Sequence, residues 1–127
     1  MAERVRVVLV EDNLMFRQTL ELLLELRPTI EVVGSVATGR EAVEVSGRLR
    51  PDVVVMDYRM PGMNGAQATS AVLSASPESR VVCLTASVSG AELREVFAAG
   101  AVSCVMKDEA FDDIVDAIHS AAPFTRA

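Results

Sequence analysis

Along this chain the apolar residues alternate between two spacings. Unbroken apolar runs of three or four residues recur, and between them apolar residues return every three or four positions. Runs of that length suit strands buried on both faces, and the wider spacing suits helices with one inward face. Val5–Val10 (VRVVLV) reads as a first strand. Asn13–Leu26 follows as a helix with Phe16, Leu20, Leu23 and Leu24 on one side, closed by Pro28. Ile30–Ala37 is a second strand, diluted by Glu31 and Ser35 in the way of an edge strand. Thr38 and Glu41 form a capping-box pattern ahead of a helix facing inward through Ala42, Val45 and Leu49, which Pro51 stops.

The second half repeats the alternation. Val53–Asp57 is the third strand, ending in a carboxylate and a turn broken by Pro61, Gly62 and Gly65. Asn64 is placed to cap a helix running to about Ser76, with Ala68, Ala71, Val72 and Ala75 inward, and Pro77 breaks it. Arg80–Thr85 (RVVCLT) is the fourth strand. Ser89 and Glu92 form a second capping box, Leu93, Val96 and Phe97 an inner stripe, and Gly100 a terminator. Val102–Met106 is the fifth strand. Phe111, Ile114, Ala117, Ile118 and Ala121 give the last helix its face, and Pro123 ends it.

Five strand–helix units with short connections predict an α/β fold: a single five-stranded parallel sheet with helices on both faces. Right-handed crossovers and five strands favour the order 2-1-3-4-5, the flavodoxin-like arrangement, with the second strand at an edge. The 127 residues suffice for one domain, and half of them are apolar, which excludes a disordered chain. The balance of 18 acidic to 12 basic residues, net −6, excludes free DNA or RNA as a direct partner. The apolar runs are too short to span a membrane and no signal peptide is visible, so the expected location is the cytoplasm. Cys83 and Cys104 both fall in apolar runs and are expected as buried, reduced thiols.

In a parallel sheet all strands end on one side. The first then delivers Glu11 and Asp12, the third Asp57, the fourth Thr85 and the fifth Lys107 to one rim. Three clustered carboxylates repel one another unless a cation sits among them, and an all-oxygen set suits Mg²⁺ better than Zn²⁺. A carboxylate is a competent phosphoryl acceptor, and an ammonium and a hydroxyl can hold phosphoryl oxygens. Asp57 is therefore the candidate acceptor. Tyr58 and the methionines Met56, Met60 and Met63 read as packing, and His119 as a surface residue.

The set Glu11-Asp12, Asp57 with the following MPGMNG, Thr85-Ala86 and Lys107-Asp108 resembles a response-regulator receiver domain of two-component signalling, over essentially the whole chain. The segment GAVSCVMKDEAFDDIVDAI further resembles receivers joined to a LuxR-type DNA-binding domain, the NarL/FixJ-like subgroup. The resemblance implies that Asp57 takes a phosphoryl group from a sensor histidine kinase. Asp12, Asp57 and the backbone carbonyl of Arg59 would ligate Mg²⁺, with Glu11 acting through water. Lys107 and Thr85 would hold the phosphoryl oxygens, helped by the N–H groups of Arg59 and Ala86.

The family carries an aromatic three residues before the lysine, a position coupled to movement of the threonine. Cys104 stands there, and its small bulk shifts the expected output toward another surface, such as the first helix with the last, or toward a weaker version of the same switch. The resemblance also implies self-phosphotransfer and autodephosphorylation rather than an independent enzyme, a homodimer on phosphorylation, and DNA contact only through an effector domain. Residues 1–122 are expected to form the receiver domain, and 123–127 a tail or the start of a linker to that effector. A module of the same fold working without phosphorylation is the alternative. A nucleotide- or flavin-binding enzyme is disfavoured, because Glu11-Asp12-Asn13 stands where a glycine-rich phosphate loop would be.

Overall fold

The computed structural model describes residues 4–122. The expected tail at 123–127, and Pro123 as the stop of the last helix, lie outside the described residues. Among the described residues ten elements alternate: β1 (Val5–Val10), α1 (Leu14–Glu25), β2 (Ile30–Val36), α2 (Gly39–Leu49), β3 (Val53–Met56), α3 (Gly65–Ala75), β4 (Arg80–Thr85), α4 (Gly90–Ala99), β5 (Ser103–Met106) and α5 (Phe111–Ala121). The five strands are all parallel, in the order β2-β1-β3-β4-β5, as the sequence predicts. None of the described helices is long and apolar enough to cross a membrane.

Two cores flank the sheet because successive strand residues point to opposite faces. Val7, Leu9, Val53, Val55, Val82 and Leu84 meet Leu20 and Leu24 of α1 and Ile114, Val115 and Ile118 of α5. Val8, Val10, Val54, Met56, Val81 and Cys83 meet Ala42 and Val45 of α2, Ala68 and Val72 of α3, and Val96 of α4. The central strand β3 is thus apolar at every position, and β1 at every position but Arg6.

Helix starts follow the capping chemistry. The side chains of Asn13, Thr38, Asn64 and Ser89 each accept the N–H three residues on. The reciprocal bond closes at Asn64–Gln67 and Ser89–Glu92. At Thr38 the return bond is displaced: Glu41 accepts the N–H of Ala37 at 3.1 Å. Gly100 ends α4 at φ 118, a conformation that favours glycine.

Three inward assignments are corrected. Leu23 is 38% exposed and Phe97 44%, although both sit at helical spacing from buried neighbours. In each case the adjacent position, Leu24 or Val96, takes the buried place, and the second side chain falls at the edge of the buried stripe. Cys104 is only partly buried, because β5 is an edge strand, so the expectation of two buried thiols holds for Cys83 alone.

Candidate functional site

The carboxyl ends of the strands open into a cleft of about 460 Å³, lined by Glu11, Asp12, Asn13, Asp57, Arg59, Thr85, Ala86 and Lys107. Every predicted site residue except Cys104 lines it. β1 and β3 are neighbours in register, Val10 beside Met56, so the residues following them are delivered side by side. Carboxylate oxygens of Glu11, Asp12 and Asp57 lie within 4.8 Å of one another. Glu11 and Asp57 are buried, 4% exposed each, whereas Asp12 faces solvent.

Asp57 is held at the base of the cleft by backbone geometry. Its N–H donates to Val10 O at 3.0 Å, continuing the β1–β3 ladder one residue past the strand. Behind it, Gly65 begins α3 so close that a Cβ there would lie 2.6 Å from Tyr58 Cα and 2.8 Å from Asp57 O. The breaker noted in the sequence is therefore a contact residue: only glycine lets α3 start against the acceptor. Gly62, at φ 83, makes the turn between them.

Lys107 extends across the cleft. Its Nζ lies 2.5 Å from Glu11 Oε1, 3.4 Å from Asp57 Oδ2 and 4.6 Å from the centre of the Phe16 ring. The other Glu11 oxygen accepts the N–H of Asn13 at 2.9 Å. One ammonium thus opposes three carboxylates. Burial lowers the Lys107 pKa, but the bond to Glu11 and the field of Asp57 outweigh it and the net shift is upward. Asp57 moves the other way from a paired acid. Burial, then the field of Glu11, raise it from 3.8 to about 6, against the pull of Lys107 and the Arg59 N–H. The cluster is short of positive charge as it stands. Its hard oxygen donors, their spacing and the exposed Asp12 fit a Mg²⁺ ion.

Thr85 is fully buried and its hydroxyl donates to Ser87 O at 3.1 Å, within its own loop. The Arg59 side chain leaves the cleft. It stacks over Tyr58 at 5.5 Å, reaches Ser87 Oγ with Nε at 3.4 Å, and forms a two-pronged pair with Glu92 at 2.7 and 3.1 Å. Glu92 Oε1 also accepts the Ser89 N–H at 2.9 Å, so one carboxylate caps α4 and ties it to the loop after β3. These contacts lower the Glu92 pKa, the backbone bond at Ser89 first and the arginine second.

Asn13, Phe16, Ser87 and Glu92 were not predicted as site residues. Asn13 opens the first predicted helix, Glu92 belongs to a capping box and Phe16 to an inner face, and those roles mask their second contacts. Ser87 carried no signal. Tyr58 is 4% exposed, and Met56, Met60 and Met63 pack into or against the core, as expected of packing residues. His119 is exposed at the far end of α5 and bonds Thr29 Oγ1 at 2.8 Å.

Comparison with known proteins agrees with this geometry. The response regulator receiver domain family matches residues 7–119. The transcriptional regulatory protein LiaR of Bacillus subtilis (strain 168) is 36% identical over 118 residues, covering 93% of this chain and 56% of LiaR. The response regulator protein VraR of Staphylococcus aureus (strain NCTC 8325 / PS 47) is 33% identical over 115 residues, 91% of this chain and 55% of VraR. The chain thus spans about half the length of these relatives. The signal receiver domain of the response regulator NarL from Mycobacterium tuberculosis superposes with a TM-score of 0.90 at 36% identity, covering 97% of this chain and 99% of that one.

Proposed function

The chain belongs to the response regulator receiver family, and from that premise we propose that Asp57 is its phosphoacceptor, loaded by a sensor histidine kinase. The observation that carries this reading is the single carboxylate at the cleft base, facing the one ammonium at 3.4 Å and two further carboxylates. An Asp57 oxygen attacks the phosphorus of a phosphohistidine, the P–N bond breaks, and an acyl phosphate remains on Asp57. Lys107 draws the phosphoryl oxygens to its side of the cleft, exchanging its present contact with Asp57 Oδ2 for them. The Thr85 hydroxyl gives up its bond to Ser87 O and donates to the phosphoryl group, with the Ala86 N–H beside it. Asp12, Asp57, the Arg59 carbonyl and, through water, Glu11 would hold Mg²⁺. When bound, that ion offsets the charge of the carboxylates and of the incoming phosphoryl group. Hydrolysis of the acyl phosphate within the same cleft returns the domain to its starting state.

The output we assign is transcriptional, through a DNA-binding effector outside this chain, with residues 1–122 acting as the receiver in the cytoplasm. Support comes from LiaR, named as a transcriptional regulatory protein, and from the net charge of −6, which makes this domain a poor DNA ligand itself. Phosphorylation-dependent homodimerisation is supported by Met15, Leu22 and Leu26, 79%, 65% and 72% exposed on one side of α1 and its C-cap. The small Cys104 at the aromatic's position favours such a surface over the α4–β5–α5 face.

Incubation with Mg²⁺ and acetyl phosphate tests the reading. The expected product is a hydroxylamine-labile adduct of about 80 Da, absent from Asp57→Ala. No adduct with that donor or with a phosphorylated kinase overturns it in favour of a receiver fold that works unphosphorylated.

A further inference from the structure

Cys83 and Cys104 are partners in the register of β4 and β5. Both side chains project to the same face of the sheet, into the core beneath α4 that contains Val96. Register and shared face set the two thiols side by side. Neighbouring strands run about 4.8 Å apart, inside the roughly 4.4–6.8 Å that a disulfide requires between Cα atoms. The thiols differ in access: Cys83 is 1% exposed, while Cys104, on the edge strand, is open in part to solvent.

We propose that Cys83 and Cys104 form a reversible dithiol–disulfide site, oxidised by a hydroperoxide, whose closure staples β4 to β5 beneath α4. Cys104 is the attacking sulfur. The neighbouring Cys83 thiol lowers its pKa, while the proximity of Cys104 and then burial push the Cys83 thiol up. The Cys104 thiolate attacks one peroxide oxygen, the O–O bond breaks, and the departing hydroxide takes up the released proton as water. The Cys83 sulfur then attacks the Cys104 sulfenic acid, forming the S–S bond and expelling a second water. Two thiols and one hydroperoxide thus give one disulfide, one water and one water or alcohol. Bringing the Cβ atoms to disulfide distance pinches two strands already held by their ladder, and a disulfide under such tension is readily reduced by a dithiol.

The staple lies two residues before Thr85 and three before Lys107. It therefore acts on the strand ends that carry the hydroxyl and the ammonium of the cleft, and on the floor under α4. The dithiol chemistry itself does not depend on phosphorylation of Asp57.

The reduced protein is treated with hydrogen peroxide, unfolded in N-ethylmaleimide and cut with trypsin. The expected result is one linked pair, Val81–Arg94 with Glu95–Lys107, lost on dithiothreitol treatment and absent from Cys83→Ala. In that variant Cys104 is expected to accumulate as a dimedone-trapped sulfenic acid, which shows that Cys104 is the sulfur the peroxide reaches. Maleimide labelling of both cysteines after peroxide, or linkage only between molecules, overturns the proposal. The second readout is amide exchange over residues 86–99, expected to slow at least threefold in the oxidised protein. A linked pair with unchanged exchange there overturns the action on α4 while leaving the dithiol site standing.

Discussion

Asp57 shows how a single residue can be placed against its own electrostatic preference. It is 4% exposed beside the buried Glu11, and its carboxyl is raised from 3.8 to about 6 although Lys107 lies 3.4 Å away. A group raised in the folded state holds its proton more tightly there. Its contribution to stability is therefore fully present below about pH 4 and is lost as pH climbs through 6, by about 3 kcal/mol at most. In the presence of a chelator, Asp57→Asn is expected to melt several degrees above the parent protein at pH 7.5. The two curves should converge as the pH falls toward 4. Thermal melts at half-unit pH steps check this, and a constant gap across that range would count against burial and Glu11 as the cause. The residue the fold keeps at a loss is the one assigned the chemistry, as expected of a functional site.

Among the elements, α4 is the one least tied to the rest. Its one buried hydrophobic side chain is Val96, whereas α5 buries Ile114, Val115, Ile118 and Ala121. What fixes its start is polar: the Ser89–Glu92 capping box and the Arg59 pair on the same Glu92. Ser89→Ala removes the acceptor of the Glu92 N–H, a loss of about 1 kcal/mol for a capped helix. The expected signature is local: faster amide exchange through α4, with α2 and α5 unchanged. The start of α3 is the opposite case. It is wedged against Asp57 and Tyr58 through Gly65, where a Cβ would meet backbone atoms that cannot swing aside. Gly65→Ala is expected to cost about 1–3 kcal/mol in urea unfolding and to slow loading of Asp57, because the helix start and the acceptor must separate. An alanine variant as stable as the parent would show that this contact relaxes freely.

For the whole molecule, strand order, helix caps and the convergence at the sheet rim were legible because each rests on a local rule that recurs along the chain. Apolar runs give strands, spacing gives helices, and a parallel sheet then gathers Glu11, Asp12, Asp57, Thr85 and Lys107 without further information. Contacts between units were not legible. Nothing local links Arg59 to Glu92 or Lys107 to Phe16, and Leu23 and Phe97 match the helical period yet stay exposed because burial depends on what packs opposite. The rim also sets a condition on global stability. Three carboxylates within 4.8 Å face one ammonium, so a divalent cation that binds the folded chain and not the unfolded one must raise its melting temperature. At ten times its dissociation constant the gain is about 1.4 kcal/mol, several degrees for a domain of this size. Mg²⁺ is expected to stabilise the parent protein in a saturable way. Asp12→Ala, which removes an exposed carboxylate and leaves both cores intact, should lose most of that gain while melting normally without metal. Equal stabilisation of both proteins by Mg²⁺ would place the ion elsewhere and remove Asp12 from the ligand set.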